Sequence, residues 1–117
     1  MESVLTSLKK LLGITEDNTH YDTDICVLAN GVFMILNQLG VGPVAGFFIL
    51  DKLKVWTDFL PDGPMQEGTK NYVYLKTKLT FDPPATAAVL ASMERMIAEL
   101  EHRLLLMSEL EKLTPVL

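Results

Sequence analysis

Apolar positions recur three and four apart along most of this chain, the spacing that gathers side chains on one face of a helix. Val4, Leu5, Leu8, Leu11 and Leu12 form such a face, and Gly13 can end that helix in the left-handed conformation. Residues 15–21 read as a polar turn. Asp22 or Thr23 then caps a second helix reaching Leu39 and closed by Gly40, with Ile25, Leu28, Val32, Ile35 and Leu39 on one face. Residues 41–50 carry glycines, a proline and the pair Phe47-Phe48, so they read as a loop or a short extended segment and not as a helix. A short helix is expected over 52–60, carrying Trp56 and Phe59, before the turn Pro61-Asp62-Gly63-Pro64. A fourth helix is expected over about 65–81 and a fifth over about 83–113. The chain therefore reads as one all-α domain, a small bundle of four to five helices with a long C-terminal helix.

The joint between the last two helices is the sharpest local signal. Asp82 precedes a proline, which biases its backbone away from the helical region and stops the fourth helix there. Asp82 is expected to cap the next helix, with Pro83 at the first helical position and Pro84 behind it. Phe81 would then pack back near Thr86 or Ala87. Further on, Leu90, Met93, Ile97, Leu100, Leu104 and Met107 repeat at intervals of three and four, a heptad seam that fails at Glu111. So short a seam is expected to pack on the second and fourth helices rather than to form a free coiled coil. Leu105, Leu106 and Leu110 lie off it; they suit an oligomer interface or a broad core face equally.

Composition narrows the function. The chain has 117 residues, 49% hydrophobic and 21% charged, which suits one folded core and not a disordered segment. Its net charge of −5 disfavours nonspecific duplex binding, which needs a basic face. A single cysteine points to a reducing compartment, and no signal peptide is expected because Lys9 and Lys10 follow the first apolar residues. Residues 25–50 hold no charge, so a membrane span has to be weighed. Asn30, Asn37, Gln38 and the run Gly40-Val41-Gly42-Pro43 argue instead for a buried core helix partly covered by partner subunits.

No catalytic constellation is expected. His20 reads as a turn residue and His102 as a solvated helical one, and neither has metal-ligand spacing. Cys26 lacks a nearby base and reads as a buried thiol. Gly40, Gly42 and Gly46 do not form a phosphate loop, since no Gly-Lys-Ser/Thr follows them. The expectation is a non-enzyme without metal or cofactor. Trp56, Phe47 and Phe48 are either interface anchors or core residues.

The run Tyr72-Val73-Tyr74-Leu75-Lys76-Thr77-Lys78-Leu79-Thr80-Phe81-Asp82-Pro83-Pro84, with Met93-Glu94-Arg95 and Glu99-Leu100-Glu101 beyond it, resembles the head–tail connector (adaptor) proteins of long-tailed bacteriophages. So do the run from Val32 to Pro43 and Trp56-Thr57-Asp58-Phe59, and together these cover about residues 5–110. The pattern is closest at Tyr72, Tyr74, Leu75, Lys76 and the corner Phe81, Asp82, Pro83 and Pro84. It departs at 46–54, which is unusually apolar here. The resemblance implies a mainly helical subunit of a ring of about twelve copies, closed by rotation beneath the portal protein. That ring would carry the next head-completion (stopper) protein or the tail, with DNA passing only through its lumen and no membrane contact. The expected location is the head–tail junction of the virion, after assembly in the host bacterial cytoplasm. Partner contacts are expected at Phe47, Phe48, Trp56, Leu110, Leu113, Val116 and Leu117, with 110–117 docking on the portal and loops 40–50 and 61–68 facing neighbours or the tail. The alternative is a small helical regulatory or DNA-binding module, whose best basic cluster would be Lys70, Lys76 and Lys78.

Overall fold

The computed structural model describes residues 2–113. Helix α1 spans Val4–Leu12. Ser3 caps it, its Oγ accepting the Thr6 N–H at 3.0 Å, and Gly13 closes it at φ 80°. The Val4 N–H donates to the Lys54 carbonyl at 2.9 Å, tying the start of the chain to the segment before Trp56. Helix α2 spans Asp22–Gln38. Its N-cap is Tyr21 with no side-chain capping bond, not Asp22 or Thr23. The Asp22 carboxylate is engaged elsewhere, 2.9 Å from the Nζ of Lys9, a lysine only 1% exposed. Lys9 also donates to the Glu16 carbonyl at 2.9 Å, so this one cation holds the α1–α2 connection against the body.

Gly40 closes α2 at φ 85°, where the Gly40 N–H donates to the Asn37 carbonyl and the Val41 N–H to the Leu36 carbonyl. The buried stripe of α2 is Ile25, Cys26, Ala29, Val32, Phe33 and Leu36. It is rotated from the expected face, leaving Leu28, Ile35 and Leu39 half-buried. The reason is the loop that follows. Asn30 holds Ile49 at both ends, donating from Nδ2 to its carbonyl and accepting its N–H at Oδ1, each at 2.8 Å. Asn37 Nδ2 donates to the Pro43 carbonyl at 3.2 Å. Thus the loop is laid along the asparagine side of α2, and Phe33 is covered by it. Among the described residues no helix is long and apolar enough to cross a membrane.

No helix forms over 52–60; only the 3₁₀ turn Trp56–Asp58 does. Asp58 takes the Val55 N–H at 2.8 Å and Asp51 takes the Leu53 N–H at 2.9 Å, so side chains capture donors in local turns. Trp56 and Phe59 are buried. Phe33 lies 4.8 Å from Phe47, 5.0 Å from Phe59 and 6.1 Å from Trp56 between ring centroids. Phe47 and Phe59 are 5.0 Å apart, which completes an aromatic cluster between α2 and the loop. Gly42 makes room for it. At φ 94°, a Cβ added there would run into the Phe59 ring.

Helix α3 spans Pro64–Phe81 and α4 spans Ala87–Leu113. The corner between them differs from the expectation. Asp82 ends α3, its N–H donating to the Lys78 carbonyl at 2.8 Å, but it does not cap α4. Pro83 itself precedes Pro84 and is held extended, so it cannot be a first helical residue. The start moves to Thr86, whose Oγ1 accepts the Val89 N–H at 3.3 Å and whose carbonyl accepts the Leu90 N–H at 3.0 Å. The aromatic partner of Phe81 is Tyr21, met edge-on at 5.3 Å.

Packing runs in sequence: α4 lies on α3, α3 lies on α2, and α1 touches both α2 and α3. The inward stripe of α4 is Met93, Ile97, Leu104 and Ser108, so the heptad seam fails at Met107, one seam position before Glu111. Met107 is 37% exposed where Ser108 is 1% exposed. A straight helix of 3.6 residues per turn drifts off a seven-residue repeat, and a serine is what fits at the end. Ser108 donates to the Gly40 carbonyl at 3.2 Å, and a Cβ on Gly40 would come within 2.5 Å of its Oγ.

A partly buried hydrogen bond joins α3 to α4. The Tyr72 hydroxyl donates to the Glu101 carboxylate at 2.7 Å, and Tyr72 is fully buried. Burial first, then the bond to Glu101, push its phenol well above the ordinary tyrosine range. The fold therefore favours the neutral phenol. That stability is complete below the unfolded value near 10 and declines as pH rises past it. Tyr72→Phe is expected to cost about 2 kcal/mol near neutral pH and to flatten the alkaline decline, read by urea unfolding at a series of pH values. An unchanged alkaline limb would contradict this.

Candidate functional site

Among the described residues, exposed apolar side chains gather on two surfaces in particular. The first lies on α2 and its loop. Val27 and Met34 are exposed and seven residues apart, two turns along the same outer side of α2. Because Asn30 grips Ile49, the exposed Phe48 and Leu50 are held beside them. A groove of about 290 Å³ runs between Met34 and Phe48, with the rings of Phe33 and Phe47 among its lining. Lys54 lies at this place, its Nζ 4.3 Å from the Phe48 ring centroid and 5.1 Å from that of Phe47.

The second surface lies on the C-terminal half of α4. Leu106, Leu110 and Leu113 are exposed, each close to the others at helical spacing. Leu106 and Leu110 lie about 200° around the helix from the buried Leu104 and Ser108, as two residues of about 100° each require, and Leu113 falls on the same outer side. A side chain on that side cannot reach α3. The apolar excess of this helix is therefore on the surface, except that Leu105 is half-buried.

The expected contact residues are divided by this arrangement. Trp56 is buried, and packing against Phe33 accounts for it; its indole N–H has no acceptor among the described residues. Phe47 is half-buried in the aromatic cluster, whereas Phe48 is exposed. Leu110 and Leu113 are exposed on α4. Val116 and Leu117 lie outside the described residues. Phe81, Asp82, Pro83 and Pro84 form the α3–α4 corner. Val27, Met34, Leu50 and Leu53 are exposed residues that apolar spacing alone did not single out as contacts, and Leu106, read as interface or core face alike, is exposed too. For Val27 and Met34 the signal was present: they fall on the side of Asn30 and Asn37, away from the expected apolar face.

Among the described residues, no three His, Cys, Asp or Glu side chains gather as a metal site requires. Cys26 is buried, and that burial raises its thiol pKa, with the Asp22 and Asp51 carboxylates adding to the effect. His20 packs edge-on to Tyr21 at 4.7 Å. In the basic cluster, Lys70 pairs with Glu67 and Lys78 with Asp82, each at 3.4 Å. Arg103 pairs with Glu99 at 2.8 Å on the outer side of α4. What the two surfaces offer chemically is apolar contact area.

A family model described as phage connector protein matches residues 4–111, nearly the whole chain. No curated protein and no solved structure matches it.

Proposed function

The chain belongs to the phage connector protein family and so has a structural connector's role in the virion, and from that premise we propose that it is a head–tail adaptor without enzymatic activity. Copies of it assemble as a ring of about twelve on the portal after DNA packaging, and the ring carries the next completion protein or the tail. DNA passes through the lumen and is not otherwise bound. The observation that carries this reading is the pair of open apolar surfaces on a small helical body whose core is already complete. Surfaces of that kind mark sites of protein association. The subunit is built in the host cytoplasm and ends at the head–tail junction.

Neutralisation of Lys70 and Lys78 by their own acidic neighbours weighs against the DNA-binding module. Phage lacking this gene are expected to yield DNA-filled heads and free tails that do not join, with joining restored by the protein supplied in trans. Normal virions from the deletion strain would overturn the reading.

A further inference from the structure

Given the ring reading, on which this inference rests, a second question is which face meets which. A ring closed by rotation joins two different patches of the same chain, and each copy must carry both. The two open surfaces differ in shape as that requires. One is a convex leucine stripe on a helix; the other is a groove of about 290 Å³ with aromatic rings in its lining. They also differ in charge. Glu109 is exposed at the edge of the stripe and has no ion-pair partner among the described residues. Lys54 stands over the groove's aromatic rings and likewise forms no ion pair among the described residues. The groove asks for little polar matching, because Asn30 already spends its amide on Ile49 and Asn37 donates to Pro43.

We propose that the outer stripe of α4 in one copy, Leu106, Leu110 and Leu113, seats in the groove between Met34 and Phe48 of the next copy, with Glu109 facing Lys54. An amphipathic helix laid in an apolar groove is a recurrent docking mode, and the opposite charges set its direction and register. The groove's aromatic lining supplies the buried anchors that dominate such contacts. This assigns the end of α4 to the neighbouring subunit and leaves other surface for the portal.

The test uses Phe48→Glu, which spoils the groove, and Leu106→Glu, which spoils the stripe; both positions are exposed, and circular dichroism confirms folding. Assembly is read by native mass spectrometry, alone and with the portal protein. Each variant by itself is expected to lose ring formation, with self-association weakened about thirty-fold or more. A mixture of the two is expected to form a one-to-one heterodimer and nothing larger, since each retains one intact face. Lys54→Glu should weaken association about three-fold, and Glu109→Lys in the same chain should restore it. Rings from either variant alone, or no heterodimer in the mixture, would overturn the proposal. So would loss of portal binding in Leu106→Glu alone, which would give the stripe to the portal while leaving the connector reading intact. Wild-type protein that joins neither itself nor the portal would instead overturn the connector reading and this proposal with it.

Discussion

Phe33→Ala is expected to destabilise the protein by about 4 kcal/mol, the largest loss from truncating any one core side chain. Phe33 is 1% exposed and its ring meets Phe47, Phe59 and Trp56. Removing it takes away the burial of one aromatic side chain and opens a void that three neighbours cannot all collapse into. Those neighbours sit in the stretch between α2 and α3, which has no regular helix beyond one 3₁₀ turn. Its hold on the body depends on this cluster and on Asn30. Phe48→Ala is the control: exposed at the edge of the same loop, it should change stability by less than about 1 kcal/mol. Urea unfolding followed by tryptophan fluorescence measures both, since Trp56 reports from inside the cluster. A loss below about 1.5 kcal/mol for Phe33→Ala would mean that the loop is not packed as described.

The second large effect concerns Lys9 and Asp22. Lys9 is 1% exposed, and among the described residues Asp22 is the carboxylate paired with it. Asp22→Ala leaves a buried ammonium with the Glu16 carbonyl as its remaining hydrogen-bond partner, and is expected to cost about 3 kcal/mol. The figure sits at the low end for broken buried pairs because the Asp22 side chain is 23% exposed. Lys9→Met should behave quite differently. It removes the charge together with the need for a partner and keeps an unbranched chain in the space, so stability should change by less than about 1 kcal/mol. Thermal unfolding of the two variants decides between these outcomes. Equal losses would show that Lys9 is valued for its shape or its carbonyl contact, not as a charge that must be paired.

The helices themselves were legible because their signals are local and repeated. The first turns of α1 with Val4, Leu5 and Leu8 buried, the Gly13 and Gly40 termini and the stop of α3 at Phe81 all stand as expected, whereas Leu11, placed on the same face, is exposed. What was not legible depended on competition between neighbours. Over 52–60 the helical expectation failed because Asp51 and Asp58 bond their own backbone, a choice that hydrophobic spacing does not register. At the corner, the pair Pro83-Pro84 excludes helix at its own first member, and the cap passes to Thr86. On α4 the seam slipped from Met107 to Ser108 because Gly40 brings another backbone close there, a contact between residues 68 apart in sequence. Surface contacts were only half visible. An exposed leucine and a buried one look alike until the helix phase is fixed by packing, so Leu106 and Leu110 were ambiguous until the seating of α4 on α3 placed them outside.

If this chain is a subunit of a ring seated on the portal, the two proteins must form a complex of fixed stoichiometry. Native mass spectrometry of the wild-type protein mixed with the portal protein of the same genome tests this most directly. The expected result is a discrete complex whose mass corresponds to a portal ring plus a full ring of this subunit, about one copy per portal subunit. A portal that keeps its own mass, with this protein remaining free beside it, would contradict the ring.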